Sequence, residues 1–375
     1  MPKAIIIITD ALTAPLYTPR VRFLNQRLIA DGHDVVWYAE QSPTPIPDDI
    51  RPKNLIEIPY YRSKLDRILK APLIFLFDHK NRYFAKQILS QRHNSQLVFV
   101  STFHTFGLQA GLKIAKHNNC KLHIDLRDIA EQTPANSYSR SFLSGARLYR
   151  KINIARRNRI LRQADTLTTV SHFHQQLLSK INPNTHLIYN GYDANIFKPM
   201  PKPEARPIRI VYTGRWYGRE MQDPTPLFKA LGGADFEYEL IFYTAPDVHD
   251  ELRQMANEYG VKITLNSYVP NSEIPGILNN AHVALVLTSP RNKGVLTTKF
   301  FEAIGTATLV LCAPSDEGEL AELIKTTKTG LASSEPEEIR DFLTSLSSDS
   351  SLTSISNLTS EFSRQYQTEK LCSLF

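Results

Sequence analysis

The chain has 375 residues, enough for two domains of ordinary size, and its 42% hydrophobic and 22% charged content is that of a globular protein. Its three cysteines, Cys120, Cys312 and Cys372, are too widely spaced for a metal pattern or a disulfide framework, which favours a reducing compartment. No apolar run is long enough for a signal-peptide core or a membrane span. We therefore expect a cytoplasmic protein, soluble or peripheral on the inner face of the cell membrane.

The net charge of +7 is unevenly distributed. Residues 1–188 hold 27 Lys and Arg against 13 Asp and Glu, whereas residues 189–375 hold 17 against 24. A basic half joined to an acidic half predicts that one half meets an anionic surface. Anionic lipid, nucleic acid and a phosphate-bearing substrate are the three candidates.

In the first half of the chain, short apolar runs alternate with helical patterns, which predicts βαβ units and a parallel sheet. The predicted strands are Ala4–Thr9, Asp34–Tyr38, Leu97–Val100, Lys121–Asp125 and Thr166–Val170. The predicted helices are Arg20–Asp31, Asn81–Ser90, Gly107–His117 and Arg147–Ala164.

A second series of the same kind begins near residue 188, and the proline-rich segment Phe197–Pro207 between the two series is typical of an interdomain linker. The predicted strands are Ile208–Thr213, Tyr238–Tyr243, Val261–Asn266, Ala281–Thr288 and Thr308–Cys312. The predicted helices are Thr225–Leu231, Asp247–Tyr259, Asn271–Asn280, Thr297–Ile304 and Glu317–Thr326.

The doubled pattern predicts an α/β protein with two tandem Rossmann-like domains that face each other across a cleft. We expect an amino-terminal domain over residues 1–188, a second domain over 189–350, and a carboxyl-terminal helix within 351–375 that packs back toward the first domain.

Charged residues stand at predicted strand ends of the first half. The first βα turn lacks Gly-x-Gly-x-x-Gly, which disfavours a bound dinucleotide, but Arg20 and Arg22 open the following helix. They could hold an acceptor or simply be solvated. Asp125, Arg127 and Asp128 end a later strand, where a carboxylate could orient or deprotonate a hydroxyl. The alternative is an ion pair that orders the following loop.

The second half offers candidate phosphate contacts. Gly214 and Arg215 follow a strand, where glycine lets a ligand approach the backbone and arginine can pair with a diphosphate. Lys299 lies at a predicted helix amino terminus, where a bound phosphate would explain a cation, and Glu302 could accept hydrogen bonds from a ribose. A solvated pair of Lys299 and Glu302 is the alternative.

Taken in order, these segments resemble the GT-B fold glycosyltransferases of the retaining family-4 type (glycosyl transferase group 1), in the subgroup with an Asp-Leu-Arg-Asp segment. The resemblance covers nearly the whole chain. Its segments are Asp125–Asp128, Ala164-Asp165 leading to Val170-Ser171, Tyr189–Asp193 with Phe197, Thr213–Arg215, Thr298–Glu302, and Gly318–Ile324 followed by Gly330.

The resemblance implies sugar transfer from a nucleotide diphosphate sugar to a hydroxyl, with no metal and no cofactor. It implies that Arg215 and Lys299 hold the diphosphate, that Glu302 holds the ribose, and that Asp125–Asp128 lies beside the transferred sugar. We expect the donor site to contain Asn190, Gly214, Arg215, Thr298, Lys299 and Glu302, the catalytic set to be Asp125, Arg127 and Asp128, and the acceptor site to contain Arg20, Arg22 and His104.

Three features depart from the pattern of relatives: the first loop is not glycine-rich, Gly294 stands where many have the earlier of two glutamates, and Arg127-Asp128 stands where some have a catalytic histidine. The Asp-Leu-Arg-Asp subgroup often builds bacterial surface polysaccharides on lipid carriers. A lipid-linked or saccharide acceptor is therefore expected.

Two segments have a basic and apolar character that could lie on an anionic bilayer. One holds seven basic residues and no acidic one between residues 141 and 164, and the other runs from Tyr60 to Phe77. The alternative is an ordinary solvated basic face. Two rival functions remain open: a non-catalytic sugar-nucleotide sensor or scaffold subunit of a polysaccharide assembly system, and a nucleic-acid-binding protein. No recognised nucleic-acid module is evident, so nucleic acid is not expected as a partner.

Overall fold

The computed structural model describes residues 3–12, 19–42, 44–46, 48, 50–103, 105–129, 131, 145–203, 206–288, 294–348 and 360–375. The chain divides into two compact units. Unit 1 comprises Met1–Tyr189 and Thr368–Phe375, and unit 2 comprises Asn190–Gln367.

Unit 1 is a seven-stranded parallel sheet with strand order β3-β2-β1-β4-β5-β6-β7. Its strands are β1 (Ala4–Thr9), β2 (Asp34–Glu40), β3 (Leu55–Ile58), β4 (Leu97–Thr102), β5 (Lys121–Leu126), β6 (Thr166–Thr169) and β7 (Thr185–Leu187). Its helices are α1 (Pro19–Ala30), α2 (Lys64–Phe77), α3 (His79–Ser90), α4 (Leu108–Asn118), α5 (Gly145–Leu161) and α6 (His172–Ser179).

Unit 2 is a six-stranded parallel sheet with strand order β10-β9-β8-β11-β12-β13. Its strands are β8 (Ile208–Thr213), β9 (Tyr238–Tyr243), β10 (Ile263–Asn266), β11 (Val283–Val286), β12 (Leu309–Cys312) and β13 (Gly330–Ala332). Its helices are α7 (Thr225–Leu231), α8 (His249–Glu258), α9 (Ile274–Asn279), α10 (Thr298–Gly305), α11 (Glu319–Thr327) and α12 (Pro336–Ser348); α13 (Arg364–Cys372) contains the point at which the chain returns to unit 1.

The central strand β1 is apolar from Ala4 to Ile8 because both faces of a parallel sheet are covered. In β1, Ile6 and Ile8 join one buried cluster of unit 1, and Ile5 and Ile7 join another with Trp37. The same alternation explains why the run from Ala4 to Thr9 reads as continuous hydrophobicity. The prediction of two parallel α/β domains is confirmed, and the structure adds the short strands β3, β7 and β13.

The predicted linker is part of unit 2. Its Lys202 ammonium donates to the Leu278 carbonyl at 3.1 Å and to Thr308 Oγ1 at 2.6 Å. Proline disfavours regular secondary structure. In this segment, the hydrogen bonds of Lys202 hold the irregular chain to unit 2. In the described part of the chain, no helix is long and apolar enough to cross a membrane.

Candidate functional site

The sheet register of unit 1 brings three polar residues together. Ser101 on β4 pairs with Asp125 on β5, which pairs with Thr168 on β6. Because residues paired across a parallel sheet point to the same face, the two hydroxyls meet the carboxylate from both sides. Ser101 Oγ donates to Oδ2 of Asp125 at 2.8 Å, and Thr168 Oγ1 donates to Oδ1 at 2.8 Å.

Arg20 completes this network from α1. Its Nη2 and Nε donate to the two carboxylate oxygens of Asp125 at 2.8 and 3.1 Å, and its Nη1 donates to the carbonyls of Ile188 and Tyr189 at 2.8 and 2.9 Å. Asp125 is fully buried and Arg20 is 7% exposed. Burial alone raises the pKa of Asp125, but the charge and hydrogen bonds of Arg20 outweigh it and hold the pKa below the ordinary value.

Arg20 is therefore not a solvated helix residue, and the ion pair of Asp125 is with Arg20. The Asp125 carboxylate accepts these hydrogen bonds from Arg20, Ser101 and Thr168. The catalytic role of Asp125 and the acceptor-binding role of Arg20 stay predictions. Their observed contacts form a network that joins α1 to the ends of β4, β5 and β6.

The ends of β1, β4 and β5 form a second cluster at the carboxyl edge of the sheet. The Arg127 guanidinium lies 3.6 Å from the ring centroid of Phe103, and its Nη2 lies 3.8 Å from Oδ2 of Asp10. Arg127 is buried, which lowers its pKa against the opposing effects of Asp125 and Asp10. Asp128, the next residue, is exposed. Of the predicted catalytic carboxylates, Asp128 is thus the one whose side chain reaches solvent.

Of the predicted acceptor residues, Arg20 and Arg22 both lie on α1. Arg22 is half-buried on α1, with its guanidinium carbon 5.8 Å from the ring centroid of Phe23. His104 lies outside the described residues. Asp10 and Phe103 were not predicted, although both directly follow strands.

In unit 2, Gly214 and Lys299 are brought together by the end of β8 and the first turn of α10. Gly214 has a φ of +112°, and a Cβ built there would lie 2.9 Å from Cε of Lys299. A glycine is required because any larger residue would displace the lysine and strain the backbone. The prediction named both residues, and their adjacency follows from the fold.

Lys299 has a neutral partner. Its ammonium donates to the Tyr212 hydroxyl at 2.8 Å and lies 4.0 Å from that ring's centroid. Among the described residues, no carboxylate lies within 4 Å of it. Burial lowers the pKa of Lys299 to about 7, with Glu302 opposing. Tyr212 was missed, because a tyrosine inside an apolar strand looks like a core residue.

Glu302 lies one turn after Lys299 on α10 and is half-buried. Burial raises its pKa, although the charges of Arg364 and Lys299 act in the opposite direction. Thr298 begins the helix and is exposed, and the neighbouring Thr297 caps it by accepting from the Lys299 amide at 3.3 Å. Lys299 and Glu302 are therefore not a freely solvated pair.

Arg215 is 48% exposed and pairs with Asp247 at 3.1 Å. The pair lies at the carboxyl ends of β8 and β9, the edge at which doubly wound sheets bind ligands. An exposed pair of this kind contributes about 1 kcal/mol or less, so a stronger anion can take the guanidinium from Asp247.

The segment containing Asn190 is hydrogen-bonded to residues 362–364, near the carboxyl end of unit 2. The Tyr192 amide donates to the Phe362 carbonyl at 3.0 Å, and the Arg364 amide donates to the Tyr192 carbonyl at 2.7 Å. Gly191 has a φ of +63°, and a Cβ there would lie 2.7 Å from the Phe362 carbonyl oxygen. The Asn-Gly pair thus has a structural reason, and Asn190 itself is half-buried.

A metal site was not expected. In the described ranges, no group of three or more His, Cys, Asp or Glu side chains could hold an ion.

Two family models match the chain. Residues 20–196 match the family model described as Glycosyltransferase Family 4, and residues 232–357 match the one described as Glycosyl transferase-like. No curated protein matches the chain in sequence.

Three solved structures have the same fold over nearly the whole chain. HepE of Anabaena in complex with UDP has a TM-score of 0.71 and 13% identity, with 99% of each chain covered. Its complex with UDP-glucose has a TM-score of 0.67 and 14% identity, with 100% of each chain covered. The apo form of the lipopolysaccharide outer core galactosyltransferase WaaB has a TM-score of 0.63 and 12% identity, with 98% of each chain covered. Each family model thus matches less than half of the chain, and these structures, at 12–14% identity, show its fold.

Proposed function

We propose that this protein transfers a sugar, with retention of configuration, from a nucleotide diphosphate sugar to a hydroxyl of a lipid-linked or polysaccharide precursor at an anionic membrane surface. The observation that carries the proposal is the ammonium of Lys299, which lies half-buried against Gly214 with a phenol as its partner. Taking a cation out of water without an anion is costly, and a bound diphosphate would supply that anion.

Arg215 and Lys299 are the proposed diphosphate contacts. In retaining transfer, the bond from the anomeric carbon to the diphosphate oxygen breaks as the acceptor oxygen approaches from the same face. Negative charge then builds up on the leaving diphosphate, and cations already in position stabilise it without reorganisation. The leaving phosphate takes the acceptor proton, so no protein base is required.

In unit 1, we assign acceptor handling to the strand ends at the carboxyl edge. Asp128 is exposed and Arg127 stacks on Phe103, so these residues can offer a carboxylate and an aromatic surface to a saccharide. Asp125 and Arg20 support that edge from beneath through their buried network. Neither unit requires a metal ion in this scheme, and turnover is expected to withstand chelation by EDTA.

The donor assignment is supported by the solved structures of Anabaena HepE, which contain UDP and UDP-glucose. The acceptor class is supported by the name of WaaB, a lipopolysaccharide outer core galactosyltransferase. HepE and WaaB share the fold of this chain at 12–14% identity.

A non-catalytic sugar-nucleotide subunit is the second candidate, and Gly294 favours it. This residue stands where many relatives have a glutamate, and its φ of +79° is a conformation that side chains rarely adopt. The position therefore cannot hold a glutamate without strain.

One experiment separates the candidates. Pure protein is screened by thermal shift against UDP, GDP, ADP, CDP and their glucose conjugates, and the best conjugate is then followed by NMR for hydrolysis. A ligand at a hundred times its dissociation constant stabilises by about 2.7 kcal/mol. A clear shift with turnover, releasing the sugar first in its donor configuration, supports the transferase. A shift without turnover supports the sensor, and no shift with any nucleotide rejects both.

A further inference from the structure

Helix α2 of unit 1 leaves a hydrophobic face uncovered. None of its 14 residues is buried. The exposed apolar side chains recur every three or four residues and so form one stripe along the helix. They are Leu65, Ile68, Leu69, Leu73, Leu76 and Phe77, each 42–69% exposed.

The helix is nonetheless well anchored. Ser63 Oγ accepts from the Asp66 amide at 3.1 Å and caps its start. At its end, the Arg156 guanidinium from α5 donates to the carbonyls of Phe75 and Leu76, and Ile74 packs against the core of unit 1. A helix of this length is marginal in water without a buried face, so the exposed stripe points to a surface that covers it.

The charges around the stripe are positive. Arg62, Lys64 and Arg67 are exposed at its amino-terminal end. The single acid of the helix, Asp66, is bound to Lys70 at 2.7 Å. Three exposed cations beside an apolar stripe complement a bilayer that carries anionic headgroups.

The length of α2 decides how it meets the bilayer. Fourteen residues make about 21 Å of helix, which is short of the roughly 30 Å of a hydrocarbon core. The helix can therefore lie in the interface plane, with its stripe toward the acyl chains and its cations at headgroup level.

The other basic segment is less suited to this role. On α5, Arg157 is 2% exposed and its guanidinium binds both oxygens of Glu131 at 2.6 and 2.8 Å, and Arg156 holds the end of α2. Part of the charge that the sequence suggests for a membrane face is thus used inside unit 1.

We infer that α2 is the element that inserts into an anionic bilayer, through its exposed apolar stripe and the three cations at its start. The inference rests on the proposed function in one respect, the lipid-linked acceptor that a bilayer would present. Its test does not depend on sugar transfer.

The test is flotation of the full-length protein with phosphatidylcholine vesicles that contain 30% phosphatidylglycerol or none. The variant Leu65→Gln/Ile68→Gln/Leu69→Gln should lose at least about tenfold in vesicle affinity, since each residue contributes apolar area to the interface. The variant Arg62→Gln/Lys64→Gln/Arg67→Gln should lose roughly fivefold per cation on anionic vesicles and little on neutral ones.

A matched control replaces three exposed apolar residues elsewhere: Ile29→Gln/Ile56→Gln/Met200→Gln, at positions 48%, 38% and 61% exposed. It should float like the wild type. Equal flotation of the control and the α2 variant, or no flotation of the wild type, would overturn the inference. So would a concentration-dependent dimer that the α2 variant abolishes in the absence of vesicles, because the stripe would then be an interface between copies.

A fluorescence reporter keeps the test independent of folding defects. Trp37 and Trp216 are 0% and 1% exposed, so a new tryptophan supplies the accessible signal. Ile68→Trp should be quenched by acyl-brominated lipids, whereas Ile29→Trp should not; equal quenching of both rejects α2. Binding of UDP by the same samples is measured separately. Vesicle binding without nucleotide binding would refute the proposed function and leave this inference standing.

Discussion

The two units handle charge at their strand ends in opposite ways. At the end of β5, the buried carboxylate of Asp125 meets the guanidinium of Arg20 and two hydroxyls. At the end of β8, the half-buried ammonium of Lys299 meets the hydroxyl of Tyr212. An opposite charge offsets the cost of burying the charge of Asp125, whereas among the described residues no opposite charge does so for Lys299.

At the carboxyl ends of the strands, this difference separates an ion pair that is complete within the protein from a cation whose charge a bound anion could balance. A buried pair with full hydrogen bonding keeps both groups ionised, as the lowered pKa of Asp125 indicates. A buried cation without an anion loses its proton more easily, as the pKa of about 7 for Lys299 indicates. Strongly shifted groups of the second kind are concentrated at functional sites.

The largest expected effect is on stability in unit 1. Asp125→Asn leaves the Arg20 charge buried without its partner, and should cost about 3–5 kcal/mol in the free energy of unfolding. Urea unfolding is followed by Trp37 fluorescence in a Trp216→Phe background, so that the signal reports unit 1. Ser101→Ala is the control, since it removes one hydrogen bond and should cost about 1 kcal/mol. Equal costs for the two variants would contradict the comparison.

The second-largest expected effect is on sugar transfer, and it comes from a substitution in unit 2. Lys299→Met should lower sugar transfer roughly 10²–10³-fold, the range for removing one preorganised group that stabilises developing negative charge, with little loss of stability. Lys202→Met is the matched control, because burial also lowers the pKa of Lys202, to about 8, and its partners are neutral too, but it contacts Thr308 at the amino end of β12 and not the carboxyl ends of the strands. It should leave donor affinity and sugar transfer unchanged. Similar kinetics in the two variants would argue against the donor site.

The lowered pKa of Lys299 predicts a pH dependence of donor affinity. The free protein holds the ammonium charged below pH 7 and loses it as the pH rises above about 7. The affinity for UDP-glucose, which has no phosphate ionisation of its own near neutrality, should therefore fall above pH 7, approaching tenfold per unit. Calorimetric titration checks this, and Lys299→Met should give a flat profile.

Lys299 also makes the free energy of unfolding depend on pH. This free energy rises with pH in the range where donor affinity falls. Between pH 7 and 10.5, the unfolded chain keeps a proton at Lys299 that the folded chain has released. The contribution of this group to the free energy of unfolding therefore rises with pH across that window. The stability gained by Lys299→Met should accordingly be largest below pH 7 and disappear toward pH 10.5.

The smallest effect concerns the exposed pair of Arg215 and Asp247. Asp247→Asn should change stability by less than about 1 kcal/mol, as for other surface pairs. Donor affinity should be unchanged or slightly higher, because the guanidinium is released, whereas Arg215→Gln should lower it. A large stability loss in Asp247→Asn would show that the pair is structural and would remove Arg215 from the proposed site.

Much of the fold could be predicted from the sequence because buried parallel strands leave a strong pattern. The runs at Ala4–Thr9 and Ile208–Thr213 are strands with the predicted bounds. The strands that were missed, β3, β7 and β13, have three or four residues and show too little periodicity to be recognised. The proline-rich segment was misjudged because composition marks irregular structure and does not say which domain it is tied to.

The sequence predicted which residues belong to the candidate site, but not which residues each of them contacts. Gly214 and Lys299 were named from separate segments, 85 positions apart in the sequence, and their contact depends on the fold. Arg20 was considered a possible solvated residue, since nothing in its own helix shows that Asp125 lies beside it. Partners that are distant along the chain cannot be read from local pattern.

The sequence by itself determined the alternation of strands and helices, the basic and acidic halves, and the chemical types at the strand ends, because these depend on local periodicity and composition. Only the tertiary structure decided which charges meet. It paired Asp125 with Arg20 through the register of β4, β5 and β6 and the position of α1, set Lys299 against Tyr212 and Gly214, and left the stripe of α2 uncovered. These outcomes depend on distances between segments far apart in the chain, which follow only once the sheets have formed.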